Sequence, residues 1–303
     1  MGNKLLAGIL GLAIGDAVGL PYQFKERDRF VCKAMTGGGT YNKPPGTISD
    51  DTSLTLATME SIGRMGRVDL SDIQRNFMRW YFDGAFTPEK YAFDMGSTTA
   101  EAICKMSHGA GPDKCGGISF YDNGNGALMR ILPMAFASKG PWDPAIKQVA
   151  GLTHNHPISH ACCWIYVCLA RGLAQGLPLN AALEDLPSYA ASLYNEAGQE
   201  IQRVTDYNKT REQIKSTGYV VDTLEAAIWA LATTRSYKEC ILTAVNLGGD
   251  TDTIAAVAGG LAGILYGFDE DDGIPWTWIQ HLRYRKEIMD IYIRFLGGIA
   301  NVE

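Results

Sequence analysis

The chain has 303 residues, 46% of them apolar, which is enough to bury one large hydrophobic core or two smaller ones. Its 33 acidic residues outnumber its 27 Lys and Arg residues and give a net charge of −6. This balance excludes a broadly basic surface of the kind that binds nucleic-acid backbones. A small anionic ligand would therefore have to be held by a metal cation or by helix N-termini.

The N-terminal segment superficially resembles a signal peptide. Its apolar run is interrupted by Gly8, Gly11 and Gly15 and ends at Asp16, so we do not expect secretion. With Gly19, these glycines recur every three or four residues and predict a helix face for close packing. We also expect no apolar stretch that is long enough and uninterrupted enough to span a membrane. The seven cysteines include no CxxC pair, which favours reduced thiols in a cytoplasmic protein.

Helical periodicity extends along most of the chain, and no run of residues alternates as a strand would. A helical segment is expected over 53–62, and further helices over 70–82 and 158–175. Apolar positions from 224 to 231 define another helix face, and the next helix opens with the capping-box pattern Ser236 to Glu239. A last long helix is expected to begin after Asp252 and to run to Gly267. We predict one all-α domain over residues 1–303.

Two acidic clusters lie at the starts of predicted helices. The first is Ile48–Thr52, and the second is Leu247–Thr253, where two glycines precede Asp250 and Asp252. Residues two apart point to different faces of a regular helix, so the carboxylates can converge only if these stretches are non-helical approaches to N-caps. The alternative interpretation is that each Asp simply caps its helix.

Taken together, the clusters offer only oxygen donors, because hydroxyl groups accompany the four carboxylates. Such a set suits Mg²⁺ or Mn²⁺ and does not suit a structural zinc site. The candidate metal ligands are Ser49, Asp50, Asp51, Asp250, Asp252 and Thr253.

Six motifs occur in the order found in the ADP-ribosylglycohydrolases, and the chain resembles that family from residue 5 to about residue 280. Each motif alone is weak, but the ordered set is specific. The motifs are Gly11–Phe24, Ser49–Thr52, Asp94–Thr99, Asn123–Arg130, Thr153–Pro157 and Asn246–Thr253.

The resemblance implies a single compact orthogonal bundle of helices with two divalent ions, Mg²⁺ or Mn²⁺, in a cleft. It implies a hydrolase that releases ADP-ribose from a protein side chain or a small molecule, with Asp50 or Asp51 orienting or deprotonating the attacking water. It places the same six metal ligands as above, and it brings the segment through Asp16 near the site. The positions matching the family's ADP-ribose contacts are Asp94, Gly96, Thr98, Asn123, Gly124, Asn125, Gly126 and His154.

Gln23 departs from the family pattern, in which Glu usually occupies this position. An amide can offer its carbonyl oxygen but cannot take up a proton, so Gln23 cannot be a general base. A catalytically silent ADP-ribose-binding or structural protein is therefore the second hypothesis. A helical metal-dependent phosphohydrolase is a weaker third one, because the chain contains no adjacent His-Asp pair.

Two other features of the sequence are assigned no metal site. His154, His156 and His160 have zinc-like spacing, but we expect no zinc site there, and only His154 is expected to contact a ligand. The acidic run 269–272 is expected to be a solvated loop. An aromatic residue such as Tyr121 could stack on adenine, but this assignment stays open.

Overall fold

Two glycine-rich helices pack against each other at the centre of the computed structural model, which describes residues 2–300. These are α1, Gly2–Gly19, and α12, Thr251–Tyr266. A Cβ added at Gly11 would lie 2.3 Å from the carbonyl oxygen of Gly259, and one at Gly19 would lie 2.4 Å from the Cα of Asp252. The backbones therefore touch directly, as the glycine spacing of α1 predicts, and the end of α1 is fixed against the start of α12.

The other helices surround this pair. The part of the chain that the structure describes contains fourteen α-helices and no strands, only isolated bridges, so the all-α prediction is confirmed. Between α1 and α12, the helices in chain order are α2 (Asp50–Met65), α3 (Leu70–Asp83), α4 (Ser97–Ser107), α5 (Met134–Ala137), α6 (Pro144–Gly151), α7 (Pro157–Ala174), α8 (Leu179–Leu183), α9 (Leu186–Leu193), α10 (Val220–Ala232) and α11 (Tyr237–Val245). After α12 come α13 (Trp276–His281) and α14 (Arg285–Ile299). Short 3₁₀ turns lie at Leu20–Tyr22, Phe120–Asp122, Leu128–Arg130, Asn195–Ala197, Glu200–Thr205 and Arg211–Gln213.

Both acidic clusters enter their helices earlier than the sequence predicts. Ser49 is the N-cap of α2, so Asp50 and Asp51 lie in its first turn. Asp250 is the non-helical N-cap of α12, with φ −86° and ψ 70°, while Asp252 is already inside the helix. The expectation of a fully non-helical approach is wrong. The carboxylates converge because two helix N-termini meet, each presenting its first turn to the other.

Helix α1 and the following turn form a continuous apolar stretch, Gly2–Tyr22, that is long enough by length and composition to cross a membrane. The expectation that no such stretch exists is therefore wrong. Of its most apolar window, 89% is buried inside the protein, as in a core helix. The glycines that interrupt the run do not break the helix, because they are the positions where α12 approaches.

Candidate functional site

Asp16, near the end of α1, anchors the start of α2. Its carboxylate accepts hydrogen bonds from the Ser49 backbone N–H at 3.0 and 2.9 Å, from the Thr52 N–H at 3.2 Å and from the Thr52 hydroxyl. These donors belong to the orphan amides that every helix N-terminus must satisfy. Asp16 is fully buried and fixes the direction in which α2 leaves the cluster.

Asp51 and Asp252 meet at the junction of α1, α2 and α12, and they keep oxygens free. One oxygen from each of Asp16, Asp51 and Asp252 lies within 4.8 Å of the others. Oδ2 of Asp51 accepts from the Ser49 hydroxyl at 2.9 Å, but its Oδ1 has no hydrogen-bond partner among residues 2–300. Neither oxygen of Asp252 has one within the same residues. Three buried carboxylate oxygens are thus left for a cation.

Asp94 and Asp250 approach the same centre from two loops. Asp94 has a left-handed backbone with φ 71°, which an Asp adopts at some cost. Its Oδ1 accepts from the Tyr41 hydroxyl, while its buried Oδ2 meets no well-placed donor in the described chain, although Gln23 and Asp252 lie close to this carboxyl. Asp250 Oδ2 accepts from Asn125 Nδ2 at 2.6 Å. The Oε1 of Gln23 is also buried and lacks a donor within residues 2–300.

The buried carboxylates resist ionisation. Burial, followed by the charges of neighbouring carboxylates, raises the pKa of Asp50, Asp51 and Asp252 well above the ordinary value. Burial also raises the pKa of Asp94, and it raises that of Asp16 to about 7 despite its hydrogen bonds. A divalent cation would favour the charged forms and would satisfy the free oxygens. The residues present therefore fit a hard, oxygen-preferring metal ion.

A cleft of about 290 Å³ opens above this centre. One wall is the start of α4, where Gly96 is the N-cap and makes no side-chain cap hydrogen bond. The first amides of α4, beginning at Ser97, lack intrahelical acceptors, as at any helix N-terminus, and Ser97, Thr98 and Thr99 line the cleft. This wall therefore suits an anion. Tyr121, 92% exposed, lies at the rim with Phe24.

Most of the predicted site residues lie in the wall of this cleft. They are Gln23, Asp50, Asp94, Gly96, Thr98, Gly124, Asn125, Gly126, His154, Asp250 and Thr253. Ser49, Asp51 and Asp252 lie behind the wall, in the buried carboxylate cluster or next to it.

Asn123 is the predicted substrate contact that the fold turns away from the cleft. Its Nδ2 donates to the Phe120 carbonyl at 2.9 Å and lies 3.0 Å from His156 Nδ1. Its Oδ1 accepts from the backbone and hydroxyl of Ser159. The side chain is fully used in joining the 123–126 loop to the start of α7, so Asn123 shapes the cleft from behind.

Several other residues in or behind the cleft carry weaker signals in the sequence. Only the resemblance predicts that Asp16 lies near the site, although Asp16 is a solitary acid in the apolar sequence of α1. Ser97 and Thr99, which come shortly after the predicted contact Gly96, also line the cleft. Gly218, on the loop before α10, lines it as well. Gly218 begins a segment, Gly218–Trp229, that is also similar to the family, but its place beside the cleft depends on a hydrogen bond from Asn125 N–H to its carbonyl at 3.0 Å.

Comparison with known proteins gives one consistent result. The sequence profile described as ADP-ribosylglycohydrolase matches residues 2–302. The chain is 33% identical over 303 residues to "ADP-ribosylarginine hydrolase Tri1" of Serratia proteamaculans (strain 568), covering 95% of this chain and 78% of that protein. It is also 33% identical to "ADP-ribosyl-[dinitrogen reductase] glycohydrolase" of Rhodospirillum rubrum, covering 94% of this chain and 92% of that protein.

A solved structure, "ADP-ribosylglycohydrolase-related protein complex", aligns with a TM-score of 0.81 and 30% identity over 98% of both chains. The fold and the site define a helical glycohydrolase with a carboxylate centre. The chain belongs to the ADP-ribosylglycohydrolase family. The predicted resemblance is confirmed, and so is the prediction of an enzyme that hydrolyses linkages to ADP-ribose.

Proposed function

We propose that this enzyme depends on two divalent ions, Mg²⁺ or Mn²⁺, held by the carboxylate cluster. The observation that carries the proposal is the set of buried oxygens without partners on Asp51, Asp94 and Asp252. Buried carboxylates without a counter-charge are costly, and metal coordination is the usual compensation. The remaining ligands would be Ser49, Asp50, Asp250 and Thr253, with the Gln23 carbonyl oxygen within the same centre.

In the proposed binding mode, the pyrophosphate of ADP-ribose lies against the start of α4. The free amides after Gly96 and the positive end of the helix dipole favour phosphate oxygens there. Gly124 and Gly126 leave room on the opposite wall, next to His154. The terminal ribose then lies over the carboxylates, and Tyr121 at the rim is placed to stack on the adenine.

Of the three residues predicted to be catalytic, Asp50 and Gln23 line the cleft and Asp51 does not, and the Gln23 amide cannot take up a proton. We assign Asp50 as the residue that takes a proton from water while the water oxygen bonds to the anomeric carbon. The bond from that carbon to the acceptor breaks, and the proton that Asp50 took from water passes to the departing acceptor. Bound divalent ions would supply positive charge that orients the ribose hydroxyls and water. Asp51 would serve as a ligand behind the wall.

For the acceptor we propose ADP-ribosylated arginine in a protein. Two relatives, 33% and 34% identical to this chain, are named ADP-ribosylarginine hydrolase. We also propose a cytoplasmic location, supported by seven cysteines that are all free thiols.

The decisive experiment supplies ADP-ribosyl-arginine, ADP-ribosyl-serine and an ADP-ribose ester and measures free ADP-ribose with Mg²⁺, with Mn²⁺ and after chelation. We expect release from the arginine conjugate that stops on chelation and returns with metal. A protein that binds ADP-ribose but turns over none of the three would establish the silent binder instead. Anomalous scattering from a Mn²⁺-soaked crystal should show two peaks roughly 3.5–4 Å apart.

A further inference from the structure

Arg130 is a buried cation without a carboxylate partner. Its side chain is 0% exposed, and no ion pair in the described chain includes it. Its Nη2 donates to the carbonyls of Val149 and Ala150 and to Thr153 Oγ1 at 2.7 Å, and the guanidinium lies 4.7 Å from the Phe77 ring centre. Its Nε and Nη1 have no partner within residues 2–300. Packing alone gives no reason to bury this charge.

The hydrogen bond to Thr153 continues to a histidine of the cleft. Thr153 Oγ1 lies 2.9 Å from His154 Nδ1. A guanidinium can only donate, so the Thr153 oxygen accepts from Arg130 and its own proton needs another acceptor. Within the described chain, His154 Nδ1 is the acceptor that the Thr153 hydroxyl reaches. Nδ1 is therefore unprotonated, and the imidazole proton lies on Nε2.

The Nε2 edge of His154 faces the glycine wall. A Cβ added at Gly124 would lie 3.4 Å from Nε2, and one added at Gly126 would lie 2.8 Å from the neighbouring Cε1. All three residues line the cleft. Nδ1 is already engaged by the Thr153 hydroxyl, whereas no protein acceptor for Nε2–H is found among residues 2–300. The ring therefore presents one donor to whatever fills the cleft.

We propose that Arg130 and Thr153 are positioning residues that lock His154 in the Nε2–H form, so that it donates a hydrogen bond to an oxygen acceptor of the ligand, a phosphate or hydroxyl oxygen. The identity of that ligand rests on the proposed function, whereas the tautomer is a property of the free protein. Burial, together with the Arg130 charge, lowers the pKa of His154 to about 3, which keeps the ring neutral. A neutral ring has only one donor, so the tautomer decides what it recognises.

The tautomer can be read from ¹⁵N chemical shifts of histidine in the ligand-free protein, with His154 assigned through the spectrum of His154→Gln. We expect a protonated Nε2 and a bare Nδ1 in the unchanged chain and in Thr153→Ser, which keeps the hydroxyl. Thr153→Val, which keeps the volume, should give a mixture of tautomers. His156 is an internal reference, because its Nδ1 accepts from the Ile158 backbone N–H and none of these substitutions removes that donor.

Binding of ADP-ribose supplies the second measurement. Thr153→Val should weaken it ~2- to 10-fold, the worth of one hydrogen bond, and Thr153→Ser should restore it. A protonated Nδ1 in the unchanged chain would overturn the proposal. So would a Thr153→Val protein that keeps a pure Nε2–H form. If Thr153→Val does not fold, the spectrum of the unchanged chain and that of Thr153→Ser still decide. If ADP-ribose does not bind at all, the proposed ligand is wrong. The proposed tautomer is then still decided by the ¹⁵N spectrum of the ligand-free protein.

Discussion

Asp51 shows how burial changes the role expected of a residue at a helix start. An Asp in a first turn is ordinarily exposed and stabilises its helix modestly. Here the side chain is buried, one oxygen has no partner in the described residues, and burial raises its pKa well above the ordinary value. Its negative charge therefore costs free energy in the absence of a cation, which is the opposite of what a capping role predicts.

We expect Asp51→Asn to lower kcat for ADP-ribose release by ~10²-fold or more, because a metal ligand is lost. The melting temperature without metal should stay the same or rise, since an uncompensated buried charge is removed. Kinetics and thermal unfolding of the purified variant check both parts. Asp143→Asn, at the N-cap of α6, is the matched control and should keep full activity. A variant as active as the parent would remove Asp51 from the centre.

Gln23 tests whether the departure from the family pattern changes the chemistry. Its Oε1 is buried beside the carboxylates and has no partner in residues 2–300, so it is available as a neutral ligand. We expect Gln23→Glu to retain kcat within about tenfold and to differ from the parent mainly above the pKa of the new carboxyl, which burial would raise. Gln23→Leu, which offers no oxygen, should be impaired.

The pH dependence of kcat for the parent and Gln23→Glu decides the role of this position. A gain above about a hundredfold in Gln23→Glu would mean that the missing carboxylate is the acid or base. In that case, the assignment of proton transfer to Asp50 would be wrong.

At the scale of the elements, the site depends on the contact between α1 and α12. The end of α1 carries Asp16, and the start of α12 carries Asp252, so a small shift of one helix along the other separates their carboxylates. The glycines of α1 allow the backbones to touch, and a methyl group at Gly19 would overlap the backbone of Thr251 and Asp252. Close packing of this kind cannot relax without moving a helix.

Gly19→Ala should therefore lower the free energy of unfolding by ~1–3 kcal/mol and reduce the stabilisation gained from Mg²⁺. Urea unfolding with and without Mg²⁺ measures both. Gly140→Ala is the matched control, because a Cβ there meets nothing within 4 Å, and its stability should stay within about 0.5 kcal/mol of the parent. Equal stability of the two variants would show that the helices can separate without cost.

At the scale of the whole molecule, the acidic centre makes stability depend on pH. Raised carboxyl pKa values mean that the folded state holds more protons than the unfolded state between the ordinary pKa and the raised one. The free energy of unfolding of the metal-free protein should then fall as pH rises, over a window that reaches the pKa of about 7 at Asp16.

We expect the melting temperature of the chelated protein to be lower at about pH 8 than at about pH 5, and Mg²⁺ to raise it more at the higher pH. Asp51→Asn should flatten both effects. Differential scanning fluorimetry in matched buffers measures them. A melting temperature that is independent of pH and metal would contradict a carboxylate centre that binds cations.

One hydrophobic cluster includes residues from Leu5 to Phe295. It supports the prediction that residues 1–303 form a single domain, which stays a prediction, and Met1 and residues 301–303 lie outside the described residues.

The sequence by itself determined the helical class, because periodicity and capping residues act over a few positions, and its ordered motifs indicated the family. Only the tertiary structure decided which side chains are free to act. Asn123 and Asn125 look alike in the sequence, yet one is consumed behind the loop and the other reaches Asp250, 125 positions away. Likewise, the oxygens of Asp16 are taken by α2, while those of Asp252 stay open. The availability of a polar atom depends on its neighbours in space, and long-range packing supplies them.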